Sequence, residues 1–216
     1  MKTIAVIQAR IGSERFPGKI VAPLAGQALL KVLVERIRPA AGLDAIWLAT
    51  TEERADDLTA AWGRALGLKV FRGSTEDVLS RFTGIVHQET PDWVFRLTAD
   101  NPFMHAQVLD LLSFQSHLVE SGCDLVGFVK GGGSPLGFAS VSLVRGEALL
   151  RAETEIPVSL PFHRTHVTSW LIEKGSAFRI AEPDAWPARR DWRWTIDTPE
   201  DYAMAVAAFD GFGDRW

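Results

Sequence analysis

Residues 7–19, IQARIGSERFPGK, gather Arg10, Arg15 and Lys19 around Gly12, Ser13, Pro17 and Gly18, directly after the apolar run Thr3-Ile4-Ala5-Val6-Ile7. Three cations on a turn that leaves a β-branched strand suit a polyphosphate. Glycine lets backbone N–H groups turn toward one anion, arginine grips phosphate oxygens in pairs, and lysine acts as a mobile point charge. The backbone from Ala9 to Ser13 belongs to the same turn. Two known phosphate loops do not fit. The Walker pattern needs four residues between its glycine and Gly-Lys, then Ser or Thr; here five separate Gly12 from Gly18-Lys19, and Ile20 follows. The dinucleotide fingerprint needs three glycines at fixed offsets, which this stretch lacks. On the loop alone, a solvated basic turn remains the alternative.

Two aspartates supply what such a ligand would need. Asp100 follows the apolar run 93–97 within LTADNP, and Asp197 ends the run 192–196. Parallel strands present ligands at their carboxyl ends, so these carboxylates are expected on the side of the opening loop. Beside a polyphosphate, Mg²⁺ takes one or two carboxylates together with phosphate oxygens and water. Asp100 could equally cap the helix expected near Ala106, since Pro102 favours a turn there. His163, Arg164 and His166 open another helix; without a third ligand at suitable spacing, substrate contact or capping fits them better than a metal. Arg72 and Arg81 bracket a stretch in which Ser74 or Thr75 caps a helix and Glu76 and Asp77 favour its dipole. Either arginine could serve a ligand or an internal network.

Positioning these groups takes a sheet. Helical spacing over 27–37 is followed by a strand at 45–50, an amphipathic helix at 52–66 closed by Gly67, and a strand at 68–71. A helix then runs to about His87, and 93–97 reads as the fourth core strand. This alternation predicts an α/β fold: a mixed, mostly parallel sheet flanked by helices. Further on come a helix at 106–120, a strand at 124–129, a Gly-rich loop at 130–137 expected to cover the pocket, and an antiparallel strand at 138–144. A short helix at 146–152 follows, and Thr198-Pro199 opens the terminal helix.

The 216 residues suit one domain with a full core, and 47% hydrophobic with 23% charged residues describes an ordinary globule. A net charge of −4 argues against general nucleic-acid binding, and no apolar run approaches a membrane span. The single cysteine, Cys123, excludes an intramolecular disulfide framework, and the amino terminus enters a core strand without a signal-peptide pattern. A cytoplasmic protein is the simplest expectation.

Taken in order, IQARIGSERFPGK, LATT ending at Thr51, VFRGSTEDVLSRF from Val70, FRLTADNP from Phe95, SPLGF from Ser134, HRTHVTSWL from His163 and WTIDTPEDY from Trp194 resemble the cytidylyltransferases that activate sugar acids. Within that group they look most like the spore-coat polysaccharide F branch. The resemblance implies a single nucleotide-diphospho-sugar-transferase (GT-A, Rossmann-like) domain, with residues 1–129 as the nucleotide-binding half and 130–216 as the acceptor-binding and metal-completing half. It implies that CTP and a nonulosonate-type sugar acid give a CMP-sugar and pyrophosphate, for surface or flagellar glycan. By the same resemblance Ala9, Arg10, Gly12, Ser13, Arg15 and Lys19 hold the triphosphate, with Arg10 and Lys19 stabilising the leaving group. Thr50 and Arg72 help hold the nucleoside, and Asp100 and Asp197 bind Mg²⁺; for Arg164 and His166, substrate contact is the reading their place at a helix start supports. A homodimer contact is expected at the 138–144 strand and the helix after it.

Two departures lie on the acceptor side. Related chains often carry glutamate before the histidine of Arg164-Thr165-His166, and an acidic residue where Ala139-Ser140-Val141-Ser142 stands here. The sugar therefore stays open. So do the alternatives of another nucleotide donor acting on a sugar phosphate and a non-catalytic nucleotide-binding role.

Overall fold

The run Thr3–Gln8 forms β1, whose first five residues are buried on both faces as a central parallel strand requires. The computed structural model describes residues 1–118, 123–128, 141–157, 159–175, 177–180 and 194–213. After β1 come a 3-10 turn at Lys19–Val21, the short strands β2 (Pro23–Leu24) and β3 (Gln27–Ala28), α1 (Leu29–Ile37), β4 (Ala45–Thr51), α2 (Asp57–Ala65), β5 (Lys69–Gly73), α3 (Val78–Glu89) and β6 (Trp93–Thr98). Then follow α4 (Ala106–Leu118), β7 (Leu125–Phe128), β8 (Ser142–Arg145), α5 (Gly146–Glu155), α6 (Pro161–Thr165), α7 (Ser169–Glu173), β9 (Ala177–Ile180) and α8 (Pro199–Phe212).

A seven-stranded sheet has the order β5-β4-β1-β6-β8-β7-β9. β5, β4, β1 and β6 are parallel, β8 is antiparallel to β6 and β7, and β9 is parallel to β7. On one face Ala5, Ile7, Phe95 and Leu97 pack under α1 and α4 through Leu33, Ile37, Leu109 and Leu112. On the other Ile4, Val6, Val94 and Val144 pack under α3 and α5 through Phe82, Ile85, Leu149 and Ala152. A third apolar cluster, including Leu24, Leu29, Phe103, Ile196 and Phe209, seats α8 against the β2–β3 hairpin. This is the expected mixed, mostly parallel α/β sheet in one domain.

Several boundaries differ from the sequence expectations for identifiable reasons. Residues 27–28 pair antiparallel with 23–24, so α1 starts at Leu29. The helix expected at 52–66 opens with a separate 3-10 turn at Arg54–Asp56. The cap of α3 is Asp77, whose carboxylate accepts from the Ser80 amide; Ser74 instead accepts from the Asp77 amide. The expected helix from His163 is split into α6 and α7, with Val167 at φ 52° in the break. Residues 194–197 do not form a strand: they lie past the sheet, where Ile196 N donates to Asp100 O at 2.8 Å. The loop at 130–137, residues 138–140 of the antiparallel strand, and Trp192 and Arg193 lie outside the described residues. β8 is hydrogen-bonded on both sides, to β6 and to β7. Among the described residues no helix is long and apolar enough to cross a membrane.

Candidate active site

The loop after β1 is pinned before it reaches any ligand. Asp56, 3% exposed, accepts from the Ile11 amide at 2.6 Å, from Thr59 Oγ1 at 2.9 Å and from the Thr51 hydroxyl. Gly18 N and Ser13 N both donate to Ile11 O at 3.0 Å, which folds the turn back on itself. Gly18 takes a φ of 74°, a left-handed conformation that favours glycine. Gly12 does not adopt positive φ, and a Cβ there would meet nothing within 4 Å, so only one of the two glycines has the conformational role expected.

Lys19 is where the site closes. Its ammonium donates to Ile196 O at 2.7 Å, to Asp100 Oδ2 at 3.0 Å and to Asp197 Oδ1 at 3.2 Å. An ammonium has three protons, so all are engaged, and with the side chain 10% exposed this is an anchored group and not the mobile point charge expected. Lys19 holds the two aspartates together against their mutual repulsion. Arg15 Nη2 lies 3.2 Å from Asp197 Oδ1, with a side chain 61% exposed to the cleft mouth. Asp197 in turn is set by the start of α8. Asp201 Oδ2 accepts from the amides of Asp197 and Thr198 at 2.9 Å, while Thr198 Oγ1 accepts from Asp201 N, a reciprocal capping box.

Around this cluster lies a cleft of about 450 Å³. Of the expected site residues, Ala9, Arg10, Ser13, Arg15, Lys19, Asp100, His166 and Asp197 line it. Gly12, Thr50, Arg72 and Arg164 do not. Thr50 is fully buried. Arg72 ties β5 to the start of α2, donating to Thr51 O at 2.9 Å, Glu53 O at 3.0 Å and Asp57 Oδ1 at 2.6 Å. Arg164 joins α6 to two other helices through Asp77 Oδ2 at 2.7 Å and Glu153 O at 2.9 Å. Nucleoside contact by Thr50 or Arg72, and sugar contact by Arg164, would need these groups to leave the partners or the burial they have.

Sequence reasoning passed over Gln8 and Thr98, which also line the cleft, and left Arg81 undecided. Arg81 is 3% exposed and among the described residues its Nε has no partner, while Nη1 reaches Ala49 O at 3.4 Å. Burial pushes its pKa down and Arg10 adds to that, against Asp56 and Asp77. Two guanidiniums near one another beside a cleft suit an anion carrying several charges. The carboxylates suit a cation. Among the described residues Asp100 Oδ1 is buried without a partner, and no three His, Cys, Asp or Glu side chains cluster as a metal site. Two carboxylates fit Mg²⁺ that arrives with phosphate oxygens.

A family model described as cytidylyltransferase matches residues 4–123, which carry β1, its loop, Lys19 and Asp100. The chain belongs to the cytidylyltransferase family. It is 34% identical to the spore coat polysaccharide biosynthesis protein SpsF of Bacillus subtilis (strain 168), over 97% of this chain and 87% of that one. It is 35% identical to the 3-deoxy-manno-octulosonate cytidylyltransferase of Anaeromyxobacter sp. (strain Fw109-5), over 52% of this chain and 46% of that protein. The structure of a cytidylyltransferase from Leptospira borgpetersenii superposes with a TM-score of 0.88 at 26% identity, covering 100% of this chain and 89% of that one. In a cytidylyltransferase a basic strand end beside a carboxylate pair has a ready ligand, CTP.

Proposed function

We propose that this cytidylyltransferase transfers CMP from CTP to a sugar acid and releases pyrophosphate, with Mg²⁺ as cofactor, in building a surface glycan. The observation that carries the reading is the convergence of Asp100 and Asp197 on Lys19 at the floor of a cleft rimmed by Arg10 and Arg15. The sugar-acid acceptor and the glycan are motivated by the names of the relatives. In this reading residues 1–129 hold the nucleotide, while 130–216 contribute Asp197 and His166. CTP metabolism makes the cytoplasm the expected compartment.

The acceptor hydroxyl attacks the α-phosphorus in line; the new oxygen–phosphorus bond forms as the bond to the β-phosphate oxygen breaks, and pyrophosphate leaves with the electron pair. Arg10 and Arg15 face the leaving group as its negative charge grows, with Arg81 behind them. Lys19 keeps the carboxylates in register and lends its charge from its anchored position. Held by Asp100 and Asp197, Mg²⁺ would neutralise phosphate charge and make the acceptor hydroxyl more acidic.

A ligand that binds only the folded state raises the melting temperature. CTP with Mg²⁺ should therefore shift it more than ATP, GTP or UTP does, and equal shifts would remove cytidine specificity. Asp100→Asn and Asp197→Asn should each abolish magnesium-dependent pyrophosphate release; full activity in either variant would sink the two-carboxylate site.

A further inference from the structure

Arg96 is a half-buried charge that the chemistry above leaves unused. On β6 it stands opposite Val6 of β1 and Ser142 of β8, two residues before Thr98. Side chains alternate along a strand, so Arg96 and Thr98 share the face on which Val94 and Val144 pack. Among the described residues Arg96 has no ion pair and its Nε is buried without a partner. Burial pushes its pKa down, with only the charge of Asp100 opposing. Gln8 and Thr98 face each other in the β1–β6 register, and Gln8 Oε1 and Thr98 Oγ1 are likewise buried with no partner.

A guanidinium, an amide and a hydroxyl with unmet capacity thus occupy neighbouring positions on one sheet face. Each unmet buried polar group destabilises the fold, so three together mark a place where a ligand supplies the partners. Gln8 and Thr98 line the cleft, and Arg96 stands one step below them on the same face without lining it. A strand rises about 3.3 Å per residue, so an extended arginine can span the two residues from Arg96 to the level of Thr98.

We propose that Arg96, with the Thr98 hydroxyl, is the receptor for the acceptor's carboxylate, while Gln8 Oε1 accepts from a hydroxyl of the same acceptor. This rests on the reading of the protein as a sugar-acid cytidylyltransferase. The triphosphate already has Arg10, Arg15 and Arg81, whereas Arg96 lies deeper and beside β8. One guanidinium flanked by neutral groups matches a single negative charge, and its planar fork matches a carboxylate's two oxygens. Arg96 selects the acceptor and does not touch the reacting phosphorus.

The test is calorimetry on wild type, Arg96→Met and Arg96→Lys in the presence of Mg²⁺. Each protein is titrated with CTP, then, saturated with a non-hydrolysable CTP analogue, with 3-deoxy-manno-octulosonate, N-acetylneuraminate and the methyl ester of each. At least one acid should bind wild type tenfold or more tightly than its ester. Arg96→Met should erase that preference, Arg96→Lys should keep part of it, and CTP affinity should stay within twofold throughout. Arg96→Met also removes an unpaired, half-buried charge, so its melting temperature should equal or exceed that of wild type. The proposal is overturned by no acid-over-ester preference in wild type, by its persistence in Arg96→Met, by a parallel loss of CTP affinity, or by a lowered melting temperature. Failure of the underlying reading has a separate signature: wild type would bind ATP, GTP or UTP as well as CTP.

Discussion

Lys19 carries the residue-scale consequence of this site. Its ammonium lies between two carboxylates and a carbonyl, so the cluster is held together by a cation whether or not a metal is present. Removing that charge leaves Asp100 and Asp197 to repel each other, and breaking a largely buried pair is among the more destabilising single changes. Lys19→Met should lower the melting temperature, and added Mg²⁺ should recover more of the loss in the variant than it adds to wild type. A magnesium response no larger than that of wild type would show that the carboxylates do not depend on Lys19. Turnover should fall on the order of 10²-fold, as for other preorganised charge stabilisers. A loss confined to stability, with turnover intact, would separate the scaffold role from the catalytic one.

At the scale of elements, Asp77 and Arg164 together join three helices. Oδ1 caps α3 by accepting from Ser80 N at 3.0 Å, and Oδ2 pairs with Arg164 of α6, which also holds Glu153 O in the last turn of α5. The lining residues Thr165 and His166 follow Arg164, so this brace sets the wall of the cleft. Asp77→Ala should cost about 1–2 kcal/mol from the lost cap. A partly exposed pair adds about 1 kcal/mol or less. A double-mutant cycle with Arg164→Ala, read by urea denaturation, should return a coupling energy of that smaller size. Zero coupling would mean that the ion pair contributes nothing beyond the cap.

For the whole molecule, Glu89 ties the amino-terminal ends of two strands to the end of α3. Lys2, next to β1, lies 2.5 Å from Oε2, and Lys69, the first residue of β5, pairs with Oε1. Hydrogen bonds from Lys2 and Lys69 hold its carboxyl below the ordinary value of 4.5, against the opposing effect of burial. A carboxyl whose folded pKa is depressed stabilises the fold above its unfolded pKa, and that contribution is lost as pH falls through the folded value. Glu89→Gln should therefore melt below wild type at pH 7. The gap should close as pH drops below about 4.5, where wild type loses the same interaction. A gap independent of pH would assign the effect to packing.

Much of the fold was legible because it is local. The apolar runs at β1, β4 and β6 and the helical periodicity between them dictate a parallel sheet, and Thr198-Pro199 announces α8 through its capping chemistry. The basic loop and Asp100 were legible because chemistry-bearing residues at a strand end have few other uses. Three-dimensional packing alone decided the rest. Thr50 and Arg72 sit near the right strand ends, yet burial claims one and the α2 carboxylate and carbonyls claim the other. The Lys19 contacts with Asp100 and Asp197 span 81 and 178 residues of chain, which no local pattern encodes. What the sequence determined by itself was the placing of a basic loop and a carboxylate at strand ends, through residue type and spacing. What tertiary structure decided was which charges stay available to a ligand, because burial and the partners met across the sheet set that availability.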